Sequence, residues 1–168
     1  MSKSLIVGYG NPDRQDDGVA WHILQILGRR FGRIGQGSSA DDITDLDLGE
    51  LQARGGAPDL LGALQLMPEI AETLAAYDRV CFVDAHTGAY PQDINVAPLE
   101  AHYQSSPFTH HLTPETCLEL TRAAYGRAPA ALAVSVRGYQ FGFSHHLSPQ
   151  TAALAEEAAG RIADWITE

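Results

Sequence analysis

Short apolar runs alternate with amphipathic stretches along this chain, and that alternation restricts the possible folds more than any other feature. SLIVGYG (4–10) is an apolar run closing on glycines, and DDGVAWHILQILGRRFG after it sets Val19, Ile23, Ile26 and Leu27 on one helical stripe. DLLGALQLM (59–67) reads as a second strand and PEIAETLAAYD (68–78) as a helix with proline at its first position. RVCFVDA (79–85) is a fully buried strand that ends in a carboxylate, and DINVAPLEA (93–101) and PAALAVSVRG (129–138) supply two more strands. Two further helices start at Thr113-Pro114 and Ser148-Pro149, each a hydroxyl cap followed by proline. The order predicts an α/β three-layer sandwich, in which helices cover both faces of a doubly wound, mostly parallel sheet.

With 168 residues, the chain fits a single domain (1–168) that buries roughly two thirds of its unfolded surface. The segment 35–58, GQGSSADDITDLDLGELQARGGAP, loses the periodic pattern and is expected to be an irregular insertion. A net charge of −10 opposes phosphate neutralisation, which excludes nucleic acid as the expected partner. The cationic cluster Arg29, Arg30 and Arg33 is explained by a helix end. No apolar run approaches the roughly 20 residues of a membrane span, and the N-terminus carries no cleavage pattern, so the expectation is a cytoplasmic protein with no membrane partner. Cys81 and Cys117 lie in apolar surroundings without ligand spacing and are expected as buried free thiols.

The chain has only seven histidines, and four of them fall in two near copies: HHLTPET (110–116) and HHLSPQT (145–151). Capping explains the shared hydroxyl-proline pair, and the flanks ETCLELTRAAYG and QTAALAEEAAGR share nothing beyond helical periodicity, so an internal duplication is not expected. Ligands of open α/β sheets gather beyond the carboxyl ends of the strands. Asp16 and Asp17 fall there after the first strand, as do Asp84 at the end of RVCFVDA and the pair His110, His111 before a helix. Carboxylates and an imidazole from separate segments can hold a divalent metal with open positions, without selecting one metal. Each residue also has a structural reading: Asp16 as the N-cap of the first helix, Asp84 as a turn cap, a histidine as a polar turn residue. GYG after a first strand invites comparison with a dinucleotide loop, but the third glycine position is Asp13, and Asp16 and Asp17 would repel a pyrophosphate.

VGYGNPDRQDDGVA (7–20) resembles the opening G-x-G-N-x-x-x-x-D-[DE]-G signature of the NiFe-hydrogenase maturation endopeptidases. FVDA (82–85) is similar to that family's second acidic motif, FTHHL (108–112) to its histidine motif, and GYQFGFSHHLSP (138–149) to the stretch before its last helix. The resemblance implies a sheet of about five strands and a metal site built from Asp17, Asp84 and His110, with Leu112 two residues beyond the histidine and His111 as the alternative ligand. It implies no ligand role for His145 and His146. Asp17 or Asp16 is the candidate base. Asn11, with Gly8 and Gly10, is expected to shape the turn presenting Asp17, and Asn11 and Gln65 are candidates for substrate contact. Relatives often carry an acidic-Gly-Thr box between the first and second motifs. This chain lacks it and has ALQLMPEIAE (63–72) instead, where Gln65 either replaces the threonine or is a buried strand amide.

The activity so implied is removal of the C-terminal extension of a NiFe-hydrogenase large-subunit precursor, the partner, after nickel insertion; the size of the chain makes a monomer the simple expectation. The nickel would come with the substrate, and another divalent metal could occupy the same ligands. Two other functions are compatible with these residues: a non-cleaving, nickel-checking assembly factor, and a doubly wound domain binding another small molecule.

Overall fold

The computed structural model describes residues 2–32, 57–103 and 112–168. Its sheet has the order β2-β1-β3-β5-β4, with β1 Ser4–Tyr9, β2 Asp59–Ala63, β3 Arg79–His86, β4 Ile94–Leu99 and β5 Ala130–Arg137. β2, β1, β3 and β5 run parallel, whereas β4 is antiparallel to β5. The direction of β4 follows from its connection. No helix carries the chain back after β3, so the next strand starts at the end of the sheet where β3 stopped and must run the other way. β4 is an edge strand, which accommodates Pro98 without loss of an inner ladder bond.

Alternation along the strands splits the core. Ile6, Cys81, Val83, Val134 and Val136 point to one face and pack under α1 (Val19–Arg30) and α4 (Pro149–Thr167). Leu5, Val7, Val80 and Phe82 point to the other, under α2 (Ile70–Leu74) and α3 (Pro114–Tyr125). Both expected thiols are buried and free, and burial pushes both up, Cys117 to about 11. Among the described residues no helix is long and apolar enough to cross a membrane.

Thr113 and Ser148 are the expected N-caps, their hydroxyls accepting from the Thr116 and Thr151 amides at 3.2 and 3.3 Å, with proline at the helix start in both cases. The cap on α3 makes no contact with the carboxylates considered below, so Thr113→Ala should cost about 1 kcal/mol without altering α4, and thermal denaturation will read this as a melting point lowered by roughly 2–4 °C.

Two expected elements are shorter than the sequence pattern suggests. β2 stops at Ala63 rather than Met67, and α2 begins at Ile70 rather than Pro68. The intervening residues leave the sheet and close tight turns, with the Ile70 and Ala71 amides donating to the Met67 and Pro68 carbonyls. The expected insertion at 35–58 lies almost wholly outside the described residues, as do Arg33, His110 and His111.

Candidate active site

The turn after β1 decides what the two adjacent aspartates can do. Gln15–Gly18 is a 3-10 turn, and with three residues per turn successive side chains diverge by about 120°. Asp16 turns inward and is fully buried. Its carboxylate accepts from the amides of Tyr139, Gln140 and Ser148 at 2.8, 2.9 and 2.7 Å, and from the Ser148 hydroxyl at 2.7 Å. The Thr151 hydroxyl lies 3.0 Å from the same carboxylate and 2.9 Å from the Arg137 carbonyl, and shares one proton between them. Burial alone would raise the Asp16 carboxyl, but the bonds from Ser148, Tyr139 and Gln140 outweigh it and hold the group below the usual carboxylate range. A carboxylate so saturated, and outside the lining of the cavity that Asp17 faces, is not placed to act as a general base, which corrects the expectation for Asp16. Nor is it the cap of α1. That position is Gly18, without a side-chain bond, and Asp16 instead lies at the start of α4, where a negative charge meets the positive end of the helix.

Asp17 faces the opposite way, into a cavity of about 270 Å³ lined also by Tyr9, Gly10, Gln65, Asp84 and Leu112. The backbone holds it there: the Asn11 amide donates to Asp17 Oδ2 at 2.9 Å. Asn11 spends its own side-chain oxygen on the Asp13 amide at 2.9 Å, closing an Asx turn. Asn11 therefore shapes the turn, as expected, but it is not part of the cavity lining and its expected contact with substrate is not supported. Gly10 has φ +144°, and a Cβ there would sit 2.2 Å from the Asp17 carbonyl oxygen. The Trp21 indole donates to the Gly10 carbonyl at 3.0 Å and pins the turn from α1. Gly8 acts differently from the expectation: it lies within β1, where a Cβ would press on Leu24 of α1 at 2.9 Å, so its smallness serves packing.

Asp84 reaches the same cavity from β3. The hydroxyl of Ser135, its register partner on β5, donates to Oδ1, and the Tyr9 hydroxyl donates to Oδ2 at 3.3 Å. Burial pushes the Asp84 carboxyl up and the charge of Asp17 adds to this, while Ser135, Tyr9 and His86 act in the opposite sense. Burial beside Asp84 drives the Tyr9 phenol far up, so Tyr9 keeps its proton and remains a donor. Gln65 lies past the end of β2, exposed, at the cavity wall, with Nε2 3.4 Å from Met67 Sδ. It is a cavity residue and not a buried strand amide.

The second HHL stretch lies elsewhere. His145 Nε2 meets Asp13 Oδ1 at 2.6 Å, and His146 uses its amide on the Ser144 hydroxyl at 3.0 Å. Neither lines the cavity of Asp17 and Asp84. Among the described residues no three His, Cys, Asp or Glu side chains converge as a complete ligand set. The cavity adjoins a larger cleft of about 530 Å³, whose floor includes Ala97, Ala133 and Ser135 and whose rim is the start of α3 at Thr113 and Glu115.

Tyr9 and Ser135 escaped the sequence analysis. Tyr9 sat inside a glycine motif, and Ser135 was one small residue in an apolar strand. The signal for Ser135 was there, since a lone serine on the same face as Ala131 and Ala133 has no packing reason to be polar.

The sequence matches no protein-family model and none of the curated proteins. Solved structures do match over nearly the full length. The NiFe-hydrogenase maturation protease HycI of Thermococcus kodakarensis aligns with a TM-score of 0.63 at 20% identity, covering 99% of this chain and 94% of its own. The hydrogenase maturating endopeptidase HybD of Escherichia coli gives 0.63 at 16% identity, covering 95% and 89%. The hydrogenase 2 maturation peptidase of a Thaumarchaeota archaeon gives 0.61 at 17%, covering 98% of both chains. The α/β fold of this chain is thus the one that those proteases adopt.

Proposed function

We propose that the protein is an endopeptidase that removes the C-terminal extension of a NiFe-hydrogenase large-subunit precursor once nickel is in place. The observation that carries this reading is the meeting of Asp17 and Asp84, from two sequence-distant motifs, in one cavity at the carboxyl ends of parallel strands. A chain folded like the maturation proteases over nearly its whole length supports it. The adjoining open cleft leaves room for an extended polypeptide.

In this reading the cation is the nickel of the substrate. Asp17 and Asp84 bind it, with His110 as third ligand on the strength of the family resemblance. Asp17 has one oxygen held by the Asn11 amide, and in this reading its other oxygen takes a proton from the attacking water. The substrate's nickel polarises the scissile region that it holds. Gln65, at the cavity wall, contacts the precursor beside the bond that is cut. The protein works on this partner as a monomer in the cytoplasm.

The test is the mass of a nickel-loaded large-subunit precursor before and after incubation. Wild type should remove a short C-terminal peptide, and Asp17→Ala should leave the full mass while folding normally. His146→Ala should cut as wild type does. A stable complex with no change in mass would replace the endopeptidase with an assembly factor.

A further inference from the structure

Four polar side chains cross the sheet at one level, on the face covered by α2 and α3. Ser135 is the register partner of both Asp84 on β3 and Asn95 on β4, and Tyr9 follows the Gly8 and Val83 pair by one residue, which sets it beside Asp84. The next level down is apolar, with Phe82, Ala133 and Ala97 in register. Ser135 is only 6% exposed, and a buried hydroxyl is costly without a partner. Its partner is Asp84 Oδ1, while Tyr9 serves Oδ2.

We infer that Ser135 is a positioning residue for the cation site, with Tyr9 as its counterpart on the opposite oxygen; this rests on Asp84 being a ligand, as proposed above. One donor on each oxygen fixes the plane of the carboxylate and leaves a lone pair on each for the cation. Without them the carboxylate turns freely about its last bond, and the ordering must then occur when metal binds. Outer partners of this kind typically change metal affinity about 10-fold to 100-fold. Asp17 is held by a backbone amide, so Asp84 is the carboxylate whose orientation depends on replaceable side chains.

The experiment is calorimetric titration of the full chain with Ni²⁺ alone, on wild type, Ser135→Ala, Ser135→Thr and Tyr9→Phe, each checked for an unchanged melting temperature. Ser135→Ala should weaken binding about 10-fold or more, Ser135→Thr should recover most of it because the hydroxyl returns, and Tyr9→Phe should weaken it independently. With Co²⁺ in place of Ni²⁺, the visible absorption of the Ser135→Ala complex should differ from that of wild type, which a purely structural role would not produce. Wild-type affinity in a folded Ser135→Ala protein would overturn the inference, as would a folded Thr variant no tighter than the Ala variant. A wild type that binds no Ni²⁺ would overturn the cation site itself, and the inference with it. Should Ser135→Ala not fold, Tyr9→Phe with unchanged affinity would still refute the paired-donor arrangement.

Discussion

Replacing Asp16 with alanine should destabilise the protein by about 3–5 kcal/mol, seen as a midpoint shift in urea denaturation at pH 7. The carboxylate is fully buried and satisfies donors on Tyr139, Gln140 and Ser148, and its removal leaves three amides, the buried one of Ser148 among them, without this partner. It also leaves the start of α4 without its compensating charge. The effect has a pH signature. The folded-state pKa of Asp16 is depressed, so its contribution is fully present above the unfolded value near 3.9 and is lost as pH falls through the folded value. Wild type should therefore lose stability below about pH 4, and Asp16→Asn, weaker at neutral pH, should lack this part of the acid dependence. Asp84 has the opposite sign. Its raised carboxyl contributes stability below the unfolded value that is lost as pH rises through the folded one. A stability profile for Asp16→Asn that parallels wild type below pH 4 would refute this account of Asp16.

Gly10→Ala should be nearly as damaging to the fold and more damaging to activity. The obstruction at 2.2 Å is the backbone oxygen of Asp17, which cannot rotate aside as a side chain would, and φ +144° is itself strained for alanine. Relief requires the 3-10 turn to move away from β1, and that turn carries Asp17. We expect a loss of about 3 kcal/mol in stability and at least 100-fold lower kcat/KM for precursor cleavage, because a displacement of about 1 Å at a catalytic group has that scale of effect. Comparing cleavage with the melting curve at a temperature where the variant is fully folded separates the two effects. Normal cleavage by folded Gly10→Ala would show that the position of Asp17 is not set by this contact.

The layered fold was legible because the apolar runs and the cap-proline pairs at Thr113 and Ser148 mark where strands end and helices start. The cavity was legible in part: Asp17, Asp84 and Gln65 come together. The division between Asp16 and Asp17 was not, because adjacent residues of one type differ only through the local turn, and 3-10 geometry is not written in an apolar pattern. The partners of Asp16 were hidden for a related reason. They are mostly backbone amides between Tyr139 and Ser148, which any residue supplies. The fourth motif, GYQFGFSHHLSP, thus owes its place to wrapping the first. The Gln15 amide donates to the Ser144 carbonyl, and the Asp16 amide to that of Gln140.

This interlocking has a consequence for synthesis. A nascent chain presents β1 and its aspartates well before Ser148 and Thr151, and until those two arrive the Asp16 carboxylate lacks the hydroxyl donors among which it settles. The turn that carries Asp17 can therefore take its final shape only after these residues have been made, so a polypeptide stalled or truncated before them holds both aspartates yet should be unable to cut.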